Sequence, residues 1–201
     1  MLPLILLAIV FVAVSYLAHR YEPFISALVT NDGALSVVFF ILLTATFVIF
    51  VIPLDIAFLI PIGAQVWGPL PTAYMSIVGW TIGASVAFAI ARRYGTPVVE
   101  RLIGLERVRM IESRIPQTNL FLMVVFLRML VSVDILSYAL GLFSRMRWSS
   151  YILATAIGVS PFGFYFTYAA TLPLWYEIGA VVLALLVATL IAWRYSVVRE
   201  P

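Results

Sequence analysis

Apolar runs separated by short polar stretches set the first reading of this chain. Leu2 to Leu17 and Leu35 to Ile52 contain no charged side chain. Pro71 to Ala91 is a third such run, closed by Arg92 and Arg93, and Trp148 to Ala170 is a fourth. Leu174 to Trp193, interrupted only by Glu177, is a fifth, closed by Arg194. A helical crossing needs about 20 apolar residues, so each run predicts a transmembrane helix. The fourth is expected to kink at Gly158, Pro161 and Gly163, because proline and small residues are where long helices bend.

Two further apolar segments break this pattern. Pro53 to Leu70 contains Pro53, Asp55, Pro61, Gly63, Gly68 and Pro69, and Asn119 to Met146 contains Arg128, Asp134 and Gly141. Proline removes a backbone donor and glycine weakens a helix, so a straight crossing is implausible in either place. Both predict re-entrant hairpins, over about 53–70 and 119–146, buried in protein or facing a wet cavity. Asp55-Ile56 recurs as Asp134-Ile135; Gly63 and Tyr74 have counterparts at similar spacing in Gly141 and Tyr151. One full span lies between the hairpins, so they would enter from opposite faces, the inverted repeat of transporters. The predicted fold is an all-α integral membrane protein with one transmembrane domain over 1–201. It has about five transmembrane helices plus two opposed re-entrant hairpins. Between the halves, 96–116 carries a helical apolar stripe and reads either as an interfacial amphipathic helix or as a solvated linker helix.

Composition supports the membrane reading. Of 201 residues, 64% are hydrophobic and 10% charged, against about 25% charged in a soluble domain. The absence of cysteine excludes disulfides and thiolate sites, and a lone histidine, His19, cannot build a multi-histidine metal centre. No cofactor is expected. The net charge of +3 comes from twelve arginines, most of them in hydrophilic stretches between apolar runs. That distribution is a topology signal and not a nucleic-acid groove. Counting spans puts Arg20, Arg92, Arg93, Arg145, Arg147 and Arg194 on one face. The positive-inside rule then predicts an N-terminus outside and a C-terminus in the cytoplasm. No cleavable signal peptide is expected. The small lysine-free chain suits a prokaryotic plasma membrane.

The candidate chemistry is sparse. Gly79 and Gly83 put small residues on one helix face, for close packing inside the chain or in a homo-oligomer. Asp55 reads as a helix N-cap or as a site residue. Arg128 and Asp134 are six residues apart, on different faces of a continuous helix, so they meet only if the helix breaks between them. They form a structural ion pair or, with Asp55, line a polar site between hairpin tips. There the aspartates would accept protons or cations, and Arg128 would bind an anion such as a phosphate headgroup. An enzyme is not expected, because no histidine is placed to serve as base for a nucleophile. Transport of a membrane lipid is the leading expectation, and a non-transporting scaffold or partner-binding protein is the alternative.

From Pro53 to about Ala170 the chain resembles the DedA superfamily, also called VTT-domain or SNARE-associated Golgi proteins. The resemblance rests on Pro53, Gly63, Trp67-Gly68, Gly79, Gly83 and Phe88-Ala-Ile-Ala-Arg-Arg-Tyr-Gly95. A second block is Phe126-Leu-Arg128 followed by Asp134-Ile-Leu-Ser-Tyr-Ala-Leu-Gly141. Val131 stands where the family pattern has a proline, and Ser137 where it has an asparagine. The resemblance implies opposed re-entrant hairpins and movement of lipids between leaflets. Eukaryotic relatives are associated with phospholipid scrambling. Bacterial relatives are associated with envelope homeostasis, proton-dependent transport and recycling of polyprenyl phosphate carriers.

Overall fold

A computed structural model describes residues 2–21, 33–52, 55–103, 119–129 and 133–173, together with 175, 176 and 179. Among them every regular element is helical: α1 (Leu2–Arg20), α2 (Gly33–Phe50), a π-helical turn (Asp55–Leu59), α3 (Ile60–Trp67), α4 (Pro69–Tyr94), α5 (Thr96–Ile103), α6 (Leu120–Arg128), α7 (Val133–Phe143) and α8 (Trp148–Ala169). Three of these, α2, α4 and α8, are long and apolar enough to cross a membrane. In such surroundings polar side chains must be satisfied internally. Accordingly Thr46, Thr81, Ser85 and Ser160 each donate to the carbonyl four residues back.

The bundle is built around α4, whose 26 residues extend about 39 Å. Lipid supplies no hydrophobic drive between helices, so association depends on close contact over small residues. A Cβ added at Gly83 would lie 2.6 Å from the Ala45 carbonyl oxygen and 2.7 Å from Val48 Cβ on α2. At Gly79 it would lie 2.8 Å from Thr44 Cβ. These glycines therefore pack inside the chain, and Ala87 and Ala91 continue the buried face. From the other flank, α7 brings Gly141 to 2.6 Å from Ala91 Cβ by the same measure, and α8 brings Gly163 to 2.7 Å from Ile77. Trp80 lies in the core.

The contacts also fix direction. Phe40, Thr44 and Val48 meet the neighbourhoods of Thr72, Gly79 and Gly83 in turn, so α2 runs parallel to α4. Tyr74 meets Phe164 and Phe88 meets Trp148, so α8 runs antiparallel to α4. At one end of the bundle Arg92 reaches the carbonyls of Ser144 and Met146. At the other end Ser15 and His19 face Gln65 and Ala170.

This arrangement corrects three expectations. Two parallel helices, α2 and α4, need a return path between them, and residues 55–67 supply it. The expected hairpin within 53–70 is thus a single returning leg whose partner is α2. Gly68, at φ +82°, turns the chain from α3 into α4, a left-handed conformation that suits glycine. Second, Arg20 follows His19 and lies at the end opposite Arg92, so the arginines do not share one face. Third, Phe11 packs on Phe166 and α1 runs the same way as α8. α1 therefore runs away from the Arg92 end, opposite to the direction that the span count gave it. The matched tyrosines also part company: Tyr74 is 58% exposed, whereas Tyr151 is fully buried. Between Trp148 and Ala169, α8 is unbroken through Pro161. Of the 96–116 stripe, Thr96–Ile103 is helical, and the remainder lies outside the described residues, as do Pro53 and most of the fifth apolar run.

Gly83→Leu should drive side-chain atoms into the α2 backbone. Overpacking of this kind costs about 1–3 kcal/mol, so the melting temperature of purified protein should fall clearly. Gly33→Leu, where nothing lies within 4 Å of the added Cβ, should leave it within error of wild type.

Candidate functional site

Two short helices, α6 of 9 residues and α7 of 11, create the polar site. They extend about 14 and 16 Å, so neither crosses a hydrocarbon core of about 30 Å. The helix that would have kept Arg128 and Asp134 on different faces is interrupted: α6 ends at Arg128 and α7 begins at Val133. Met129 N–H turns back to the Phe126 carbonyl at 3.0 Å and closes α6. Arg128 thus occupies the last turn, where the carbonyl end of the helix dipole favours a cation.

Arg128 is 1% exposed and is the largest fully buried side chain among the described residues. Its Nη2 donates to Tyr151 Oη at 2.7 Å, Thr155 Oγ1 at 3.1 Å and Ser137 Oγ at 3.2 Å. One amino group has two protons, so three acceptors share them, and Arg128 has interactions beyond these. The guanidinium brings a full positive charge with it. Its carbon lies 5.5 Å from the Tyr151 ring centroid, within cation–π range. Gly158 makes room for the stem, since a Cβ there would lie 2.7 Å from Arg128 Cβ.

A column of contacts carries this charge to the bundle's end. Tyr151 Oη donates to the Ala84 carbonyl at 3.0 Å while accepting from Arg128. Its ring stacks on Phe88 with centroids 4.0 Å apart. Arg92 covers Phe88 at 4.3 Å and bonds the carbonyls after α7. On α7, Tyr138 donates to the Ile49 carbonyl at 2.6 Å, so the end of α2 is tied to the same helix that supplies Ser137.

Of the sequence-predicted residues, Arg128 is buried and bonded to the hydroxyls of Tyr151, Thr155 and Ser137. Asp134 is in the first turn of α7, three residues before Ser137. Asp55 opens the π-helical turn, a feature frequent at functional sites. The side chains of both aspartates lie outside the described residues. Pro61 and Gly63 are buried in α3, where Gly63 lets Thr72 and Phe40 approach. Sequence reasoning used Tyr151 only as a repeat marker and Gly158 only as a kink, and it did not single out Thr155. Their spacing was the available signal: Tyr151, Thr155 and Gly158 fall at i, i+4 and i+7 in an apolar helix, one face of small and polar groups.

Tyr151→Phe should keep the stack on Phe88 and remove the hydroxyl that joins Arg128 to Ala84. Leaving buried groups without that partner costs about 1–3 kcal/mol. A lower melting temperature is expected, with Tyr151→Ala lower still because the stack is lost too.

The VTT-domain family model matches residues 6–172. No match was found among curated proteins or among solved structures. The matched stretch takes in all of α2 to α8 and most of α1. It covers the buried arginine, the two aspartates and every helix that packs on α4, so this integral membrane protein belongs to the VTT-domain family, the domain of the DedA and SNARE-associated Golgi proteins.

Proposed function

We propose that this protein moves lipids with anionic headgroups between the leaflets of a membrane. Arg128 reads the headgroup, and Asp55 and Asp134 take up protons or cations in exchange. The observation that carries this reading is a fully buried guanidinium on an interrupted helix, surrounded by three hydroxyls inside an apolar bundle. A charge at bilayer depth costs roughly 2.5–3.5 kcal/mol on insertion scales and marks a substrate or ion pathway by default.

In this proposal α2 with residues 55–67 is one re-entrant unit and α6 with α7 is the other, entering from opposite ends. Support comes from the return of 55–67 to the His19 end and from the exit of α7 at the Arg92 end. Arg92, Arg93, Arg145 and Arg147 gather there, which the positive-inside rule reads as cytoplasmic. The start of α1 then also faces the cytoplasm, in a prokaryotic plasma membrane. Transport is preferred to catalysis because His19, the lone histidine, is at the far end from Arg128. A second reading has the arginine as a purely structural tie in a membrane scaffold, favoured by its bonds to α7 and α8.

Vesicles reconstituted with the purified protein decide between them. Fluorescent anionic phospholipid in the inner leaflet should become accessible to external dithionite at least tenfold faster than in protein-free vesicles. Arg128→Gln, verified as folded by its melting temperature, should lose that acceleration. Rates equal to protein-free vesicles for every headgroup tried, with and without a pH gradient, would leave the scaffold reading.

A further inference from the structure

A cavity of about 330 Å³ opens at the His19 end, between the last turns of α1, α3 and the segment after α8. Its polar lining is Ser15, Tyr16, His19, Gln65 and Thr171. That volume is within the range of small-molecule sites, roughly 300–1,000 Å³. The cavity is separate from the arginine site: Ala170 is fifteen residues beyond Thr155, a helical distance of about 22 Å.

Ser15 is the informative group. It is 2% exposed, and its Oγ has no hydrogen-bond partner. Thr46, Thr81, Ser85 and Ser160 bond back to a carbonyl one turn earlier; Ser15, like Thr44 and Ser76, does not, and of these three only Ser15 lines the cavity. A buried hydroxyl left unpaired costs about 1–3 kcal/mol, which a ligand group in the cavity would recover. Gln65 donates from Nε2 to the Ala170 carbonyl at 3.1 Å, which leaves its amide oxygen as an acceptor. The lining therefore offers acceptors as well as donors, and among the described residues it holds no carboxylate, arginine or lysine. A phosphate oxygen only accepts, and would meet an acceptor at Gln65 without a guanidinium to offset its charge. A hydroxyl both donates and accepts, which matches this set. Leu172 in the lining is about half exposed, a setting that suits acyl chains.

We propose that this cavity is a second lipid site, selective for an uncharged headgroup carrying hydroxyls, a glyceride or a glycosyl glyceride, bonded by Ser15 and Gln65. It goes beyond the transport reading and does not depend on it.

Native mass spectrometry of the full chain in detergent tests the assignment. The probes are dioleoylglycerol, its monoglucosyl derivative and dioleoyl phosphatidic acid at equal concentration, with free glycerol as a separate arm. In Arg128→Gln, which removes the anionic site, one of the two neutral lipids should be retained at least fivefold over phosphatidic acid. Ser15→Val, which deletes the hydroxyl at similar volume, and Thr171→Trp, which fills the cavity from an exposed loop position, should each cut retention at least fivefold. Arg128→Gln should leave it unchanged even where transport is lost. Wild-type retention by both cavity variants, a preference for phosphatidic acid in Arg128→Gln, or binding of glycerol with no gain from acyl chains would each overturn the proposal. Should Ser15→Val fail to fold, Thr171→Trp alone decides the outcome.

Discussion

Close backbone contact over small residues is the constraint on which this structure depends. In water a bundle is held by burying apolar surface, but in lipid the surroundings are as apolar as the helix faces. Dispersion at short range must then do the work, and it requires that no side chain hold the backbones apart. Glycine supplies that at Gly79 and Gly83 for α2, at Gly141 for α7 and at Gly163 for α8. Three helices thereby seat directly on α4, and the polar groups they carry are brought together without water. Ser137 reaches Arg128 from α7 only because Gly141, one turn further on, puts that helix against Phe88 and Ala91.

The buried arginine follows from the same economy of space. A guanidinium is planar and long, and its stem needs apolar cover while its head needs acceptors. Gly158 provides the first by yielding its side-chain volume to the arginine stem. Tyr151, Thr155 and Ser137 provide the second. The hydroxyls are themselves anchored, as Tyr151 is through Ala84, so the polar group is held in place by the helices it joins. An interrupted helix is what allows this: a continuous one would carry the charge past the hydroxyls of α8 instead of ending among them.

Much of the outline was legible in the sequence. The apolar runs at 35–52, 71–91 and 148–170 correspond closely to α2, α4 and α8, because length and hydropathy are local properties. Arg128 was legible for a similar reason, as a lone charge in an apolar setting. Direction was not. Whether Pro53 to Leu70 folds on itself or returns along α2 depends on which side chains Gly63, Gly79 and Gly83 admit, and that is a property of pairs of helices. The misplacement of Arg20 and of the N-terminus followed from that one decision, since each omitted or added crossing inverts everything on one side of it. The partners of Arg128 on α8 were visible as a stripe, but a stripe does not name what it faces. The proposed equivalence of Tyr74 and Tyr151 failed because matching sequence spacing does not impose matching burial.

The column Arg92–Phe88–Tyr151–Arg128 has a mechanical meaning. Two of its members are on α4, one is on α8 and one on α6, and each link is short: 4.3 Å, 4.0 Å and 2.7 Å. Aromatic faces tolerate sliding in their own plane far better than separation, so α4 and α8 cannot be pried apart without unstacking the rings. Toward the opposite end, Gly163 and Ile77 press the same two helices together. The pair is therefore the stator of the bundle. Any opening wide enough to admit a lipid has to come from the lighter parts seated against it: α1, the leg from Asp55 to Trp67, or the interrupted pair that ends at Arg128.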